Sequence, residues 1–206
     1  ARSNTRGEIW DALYNRETFA TSGPRMKVRF FAGYGFKDSY NSYEEMVSDG
    51  YKKGVPMGGD ISPNINESPQ FLIWALKDPM NANLDRIQVV KGWYEEGELK
   101  EKIYTIAASD GRLQHDGSVT PTDAKVDLRT GSYDTTKGNK EFLATWSDPD
   151  FKANQTSFYY VRVLQIPTAR WNSWDEIRDN VKFPDQVAKT VQERTWSSPI
   201  WHTPAY

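Results

Sequence analysis

The sequence predicts a mainly β fold: an antiparallel β-sandwich with an N-terminal helix and one further short helix. Three observations carry that expectation. Alternating, or β-branched and aromatic, segments recur along most of the chain, as half-buried and fully buried strands require. Clusters of Gly, Pro, Asp and Asn separate them. Helical periodicity appears in only two places.

The first of these begins at Thr5-Arg6-Gly7-Glu8, which has the form of a capping box, with a hydroxyl able to accept from the Glu8 amide. Ile9, Trp10, Leu13 and Tyr14 then share one face, predicting a helix over residues 6–17 that packs on the remaining structure. Thr21-Ser22-Gly23-Pro24 stops it, and from Met26 the period becomes two: Met26, Val28 and Phe30 alternate with Lys27 and Arg29. GVPMGGDI (54–61) predicts a tight turn before a strand, and FLIWAL (71–76), apolar on both faces, a sheet-centre strand. DRIQVVKGWY and EKIYTIAAS flank EEGEL, a hairpin signal. EFLATW, SFYYVRVLQI and VQERTW complete the strands, the second suited to a central position. Residues 109–140, dominated by Asp, Gly, Thr, Ser and Lys, predict a long loop with at most a short strand near 126–128. In NSWDEIRDN, Ser173 and Glu176 predict a capping box, and Trp174, Ile177 and Val181 one apolar face of the second helix.

A chain of 206 residues is ample for a buried core. The formal charge of −2 supplies no basic field for nucleic acid or for an anionic membrane. No apolar run approaches the roughly 18–20 residues that span a bilayer, so neither nucleic-acid binding nor membrane insertion is expected. Cysteine is absent, which removes disulfides, thiolate ligands and a Cys nucleophile together. His115 and His202 are the only histidines and stand in no H-E-x-x-H or H-x-H arrangement; no metal site and no catalytic residue is expected.

Several long stretches carry a family resemblance. RGEIWDALYNRETFATSGPRMKVRFFAGY, GVPMGGDI, FLIWALKDPMNANLDRIQVVKGW, FYYVRVLQIPTARW and VQERTWSSPIWHTPAY resemble, in order, the C-terminal portion of a bacterial family known as domain of unknown function 3604. The resemblance implies a longer parent whose upstream part is similar to the polymerase-and-histidinol-phosphatase (PHP) metallohydrolases, with a divalent metal held there and no cofactor in this stretch. It implies export to the periplasm or beyond the cell. Residues 1–24 are then the helical remnant of the upstream domain and residues 25–206 the β-sandwich domain, with Ala1 a truncation point. Thr21, Ser22 and Arg25 fall at the junction, and the partner is the upstream domain of the same chain. One departure is His202, where the resemblance places Tyr, which argues against a required metal ligand at that position.

Function classes follow from particular residues. Arg162 shares strand register with Phe158, Tyr160, Leu164 and Ile166, so it is expected to meet a carboxylate partner or to read an anion. Trp93, Tyr94, Trp171 and Trp174 are expected mainly in the core; Trp93 and Trp171, both beside turns, are the ones suited to stacking a carbohydrate or other small ligand. Asp60, Asp78, Asp85, Asp148 and Asp150 read as turn residues that bond their own backbone. The chain is expected to be a non-catalytic module that stabilises or walls the upstream domain, the alternative being a carbohydrate- or other ligand-binding module.

Overall fold

The computed structural model describes every residue except Arg2, Pro63, Ile65, Asn66, Ala205 and Tyr206. In chain order the elements are α1 (Arg6–Tyr14), β1 (Phe19–Thr21), β2 (Lys27–Gly33), α2 (Tyr43–Lys53), β3 (Gly54–Pro56), β4 (Asp60–Ile61), β5 (Gln70–Leu76), β6 (Leu84–Glu95), β7 (Glu98–Ala108), β8 (Glu141–Ser147), β9 (Ser157–Gln165), β10 (Thr168–Ala169), α3 (Trp171–Asp179), β11 (Thr190–Val191), β12 (Arg194–Ser197) and β13 (Ile200–His202). Two sheets face each other, as the sequence predicted.

The larger sheet is organised around β9. β6 pairs along one edge of it, from Ser157 to Gln165, and β7 pairs with β6 through a two-residue turn in which Glu96 and Gly97 both have positive φ. That is the loop geometry whose twist matches a right-handed hairpin. The other edge of β9 is shared: β12 covers residues 162–164 and β13 covers 157–159. β1 extends β12, and β4 runs parallel to β13. The smaller sheet has the order β3-β2-β5-β8.

Alternation fixes which residues enter the core. Val28, Phe30 and Ala32 from β2, Phe71, Ile73 and Ala75 from β5, and Val89, Tyr159, Val161 and Val163 from the opposite sheet form one buried cluster. Each fully buried large side chain there contributes about 1.5–3 kcal/mol. The opposite face of the smaller sheet, Phe31, Leu72 and Trp74, is covered by α2 through Met46. This explains why FLIWAL is apolar on both faces.

α2 is a helix that the sequence reading did not anticipate. Ser42 caps it, its hydroxyl accepting from the Glu45 amide at 3.1 Å, and Gly50 lets it approach the Phe31 ring, which a Cβ would meet at 2.7 Å. α1 ends three residues earlier than expected. The Arg16 and Glu17 amides bond back to Leu13 and Ala12 in a Schellman closure, with Arg16 in the left-handed position at φ 59°. α3 starts earlier than expected, so the Ser173–Glu176 capping box does not form. Ser173 instead donates to the Lys189 carbonyl, and Glu176 accepts from the Phe183 amide and from Lys189. Between residues 111 and 141 the chain makes only isolated bridges, Leu113 with Val119, Val126 with Tyr133 and, to the start of β6, Asn139 with Leu84. It is held by local turns in which Asp116, Asp127 and Asp134 each accept from an amide two residues on.

Candidate functional site

Three surfaces stand apart from the packed sandwich. The first is α1. None of its nine residues is buried, and Ile9, Trp10, Leu13 and Tyr14 are 43, 65, 61 and 76 % exposed. The expectation that this face packs on the rest of the chain is therefore corrected. The segment after it is nevertheless firmly seated. Arg16 Nε donates to the Gly58 carbonyl at 3.1 Å, Arg29 pairs with Glu17, and the Ser198 amide donates to the Thr18 carbonyl at 3.0 Å. Gly58 is required at that crossing: its φ is 91°, and a Cβ would lie 2.4 Å from the Arg16 oxygen. The glycines of GVPMGGDI thus serve a turn and a chain crossing.

The second surface is a cleft of about 270 Å³ on the β6–β7 side, lined by Lys91, Trp93, Lys102, Tyr104, Asp150, Lys152 and Gln155. Its cations are all paired: Lys91 with Asp148, Lys102 with Asp150, and Lys152 with Glu95. Lys152, Lys100 and the Trp93 indole hold the Glu95 carboxyl at a pKa of about 2. Burial and the Asp150 carboxylate push the Tyr104 hydroxyl up. These charges neutralise one another, so the cleft offers no unbalanced field to a ligand.

Beside it lies His202, wholly buried, with Nδ1–H donating to the Gln155 carbonyl at 3.0 Å and Nε2 without a partner among the described residues. The Phe151 ring packs edge-on at 4.9 Å. Burial, followed by the nearby Lys91 ammonium, lowers its pKa, while the bond to Gln155 opposes the shift. A histidine held neutral in the fold gains its proton first in the unfolded chain, so stability is complete above the unfolded value of about 6.5 and declines as pH falls through it. The unfolding free energy from urea denaturation should fall more between pH 7.5 and 5.5 for the wild type than for His202→Gln. Equal pH dependence in the two would rule this out.

The third surface is a cleft of about 500 Å³ where residues 23–25, the 78–81 turn, the 131–133 loop, β10 and α3 converge. Trp174 forms one wall, lying against Gly131; that glycine has φ 73°, and a Cβ there would sit 2.4 Å from the ring. Asp78 Oδ2 accepts from the Arg25 amide at 2.7 Å and Oδ1 from the Met80 amide at 2.9 Å. Those two amides, Arg25 first, hold its carboxyl below the usual range. Glu193 accepts from the Ser22 hydroxyl. Asn81 and Thr168 accept from the Gln165 amide at 3.4 and 3.5 Å, whereas Gln165 Oε1, wholly buried, has no donor among the described residues. Neither polar atom of the wholly buried Asn172 amide has a partner there either. Buried polar groups are rarely left so, each costing about 1–3 kcal/mol.

The sequence-predicted residues are distributed over these surfaces. Arg162 faces away from the core, because Tyr159, Val161 and Val163 take the inward register. Its Nε and Nη2 meet Gln88 Oε1 at 3.0 and 2.8 Å, an amide where a carboxylate was expected, and half-burial makes a neutral partner sufficient. Trp93 is half-buried in the second cleft, its indole donating to Glu95 at 3.3 Å. Trp171 is 57 % exposed at the start of α3, edge-on to Phe183 at 5.4 Å. Thr21 pairs with Thr195, Ser22 receives the Arg194 amide, and Arg25 lines the third cleft. Tyr94, Trp171 and Trp174 are exposed, and the core is filled by Phe30, Phe71 and Tyr159, so the core reading of those aromatics is corrected. Asp78 and Asp148 do bond their own turns, but Asp85 and Asp148 are also buried partners of cations. Tyr133, Asn81, Thr168 and Glu193 were not singled out from sequence, since their convergence depends on contacts between distant segments.

Among the described residues no three His, Cys, Asp or Glu side chains gather so as to hold a metal ion. No helix among them is long and apolar enough to cross a membrane. Fold and surfaces together define a β-sandwich protein with an outstanding helix and, among its clefts, a mixed polar–aromatic one at α3. The chain belongs to the family described as "Protein of unknown function (DUF3604)", which matches residues 1–204. Neither the curated proteins nor the solved structures contain a match.

Proposed function

We propose that this chain is a non-catalytic β-sandwich module of a larger, exported, PHP-like metal-dependent hydrolase, and that it stabilises or walls the upstream domain through α1. The observation that carries the reading is the open apolar face of α1 on a firmly seated stem. A helix of this length is marginal in water without a packing partner, and four large apolar side chains on one face supply the surface that a partner buries. In this reading the metal belongs to the upstream part, and Thr21, Ser22 and Arg25 lie beside the junction.

The test compares the 206-residue chain with a version extended upstream, each carrying Trp10→Ser and Leu13→Ser. In the short chain these exposed positions should shift Tm by no more than about 2 °C. In the extended chain they should cost about 3 kcal/mol or more, because both side chains lose a buried contact. Mn²⁺-dependent hydrolysis of bis(p-nitrophenyl) phosphate should appear only in the extended chain. Turnover by the short chain, or equal tolerance of the substitutions in both, would overturn the proposal. A second reading, a carbohydrate- or other ligand-binding module, is favoured by the Trp174 cleft.

A further inference from the structure

The cleft at α3 shares no lining residue with α1, and it takes up the second reading given above, that of a ligand-binding module. We infer that it binds a neutral saccharide of one or two rings, with Trp174 as the stacking wall and Asp78, Asn81, Glu193 and Thr168 as hydroxyl partners.

Four features point to that chemistry. The volume of about 500 Å³ falls in the range of small-molecule sites. Trp174, 46 % exposed, presents a broad apolar ring, and Gly131 fixes where that ring lies, because no side chain fits between them. A sugar ring offers an apolar C–H face to such a surface and hydroxyls at its edge. The polar lining is of the matching kind: two carboxylates that accept, an amide that both donates and accepts, and a hydroxyl.

Charge narrows the class further. Arg25 is the lone cation of the lining and stands against Asp78 and Glu193, so phosphorylated or carboxylated ligands meet a net negative site. Beneath the lining, the Gln165 amide orients Asn81 and Thr168. Of the stretch from Gln165 to Asn172, Thr168 and Ala169 line the cleft, and the wholly buried amides at its two ends stand outside the lining.

The experiment is saturation-transfer-difference NMR on the 206-residue chain with glucose, galactose, mannose, N-acetylglucosamine, maltose and cellobiose at roughly 10 mM, above the ~1 mM Kd that one stacked ring with a few hydrogen bonds supports. Glucose 6-phosphate serves as the anionic comparison. At least one neutral sugar should give a signal, weakened about 10-fold or more by Trp174→Ala and by Tyr133→Ala, and unchanged by Trp171→Ala, which alters the neighbouring exposed indole outside the cleft. Melting curves establish that each variant is folded; with two independent cleft variants, failure of one to fold leaves the other decisive. Silence from all six sugars, a signal indifferent to both cleft variants, or stronger binding of glucose 6-phosphate than of glucose would overturn the inference. None of these outcomes depends on whether α1 docks an upstream domain.

Discussion

Replacing Asp148 by alanine is expected to destabilise the chain by about 3–5 kcal/mol, read from urea denaturation at neutral pH. Asp148 and Lys91 are 3 and 2 % exposed, and their charged ends meet at 2.5 Å. Lys91 also donates to the Asp150 carbonyl at 2.8 Å, and the Tyr159 hydroxyl donates to Asp148 at 2.7 Å. Burial, then the Asp148 carboxylate, pushes the Tyr159 hydroxyl up, so it stays a donor throughout the accessible pH range. Removing the carboxylate leaves an ammonium in a site with one remaining carbonyl acceptor and two aromatic faces, those of Trp93 and Tyr159 at 5.5 and 5.8 Å. Those faces offer a small part of what water or a carboxylate gives. The double replacement Lys91→Met with Asp148→Leu removes both charges together and should lie within about 2 kcal/mol of the wild type. A loss below about 1 kcal/mol for Asp148→Ala would mean that the pair behaves as an exposed one.

The same residues mark how far the sequence could be read. The sandwich was legible because strand period and turn chemistry are local: Glu96-Gly97 announces the hairpin, and the alternation of Met26, Val28 and Phe30 announces a half-buried strand. α2 escaped because Gly50, Ser48 and Asp49 interrupt its apolar pattern, although Ser42 and Glu45 carry a capping signal as clear as that of Thr5 and Glu8. Arg162 was assigned to the correct strand but given the wrong kind of partner. Its outward register depends on which face of β9 meets the smaller sheet, and alternation alone leaves that choice open when both faces are apolar. The Trp174 cleft was the least legible feature. Gly131 and Trp174 are far apart in sequence, and the site exists because the long loop folds back onto α3.

That loop is anchored at its start by a second buried ion cluster, whose loss should be comparably severe. Asp85 is the extra residue of a β-bulge: Leu84 pairs with Gln165 and Arg86 with Leu164, which leaves Asp85 without a partner on β9. Its side chain is wholly buried and receives Arg112, Arg86 and, at 3.1 Å, Gln192. Arg112, 7 % exposed, also donates to the Thr120 carbonyl at 3.0 Å and to the Ser109 hydroxyl at 3.1 Å, and so ties residues 109–120 to the start of β6. Asp85→Ala leaves this guanidinium buried with no carboxylate closer than Asp110 at 4.0 Å, and the expected cost is about 3–5 kcal/mol. Asp85→Asn keeps an acceptor and the shape while losing the charge, and should cost about half as much. The cluster predicts more than a global loss. The Thr120 amide bonds to the Arg112 carbonyl, so hydrogen exchange in Asp85→Ala should accelerate at residues 112–120 well beyond the change seen in β5. Uniform acceleration across both segments would show that Asp85 supports the sandwich as a whole, and that the loop is held by its own turns.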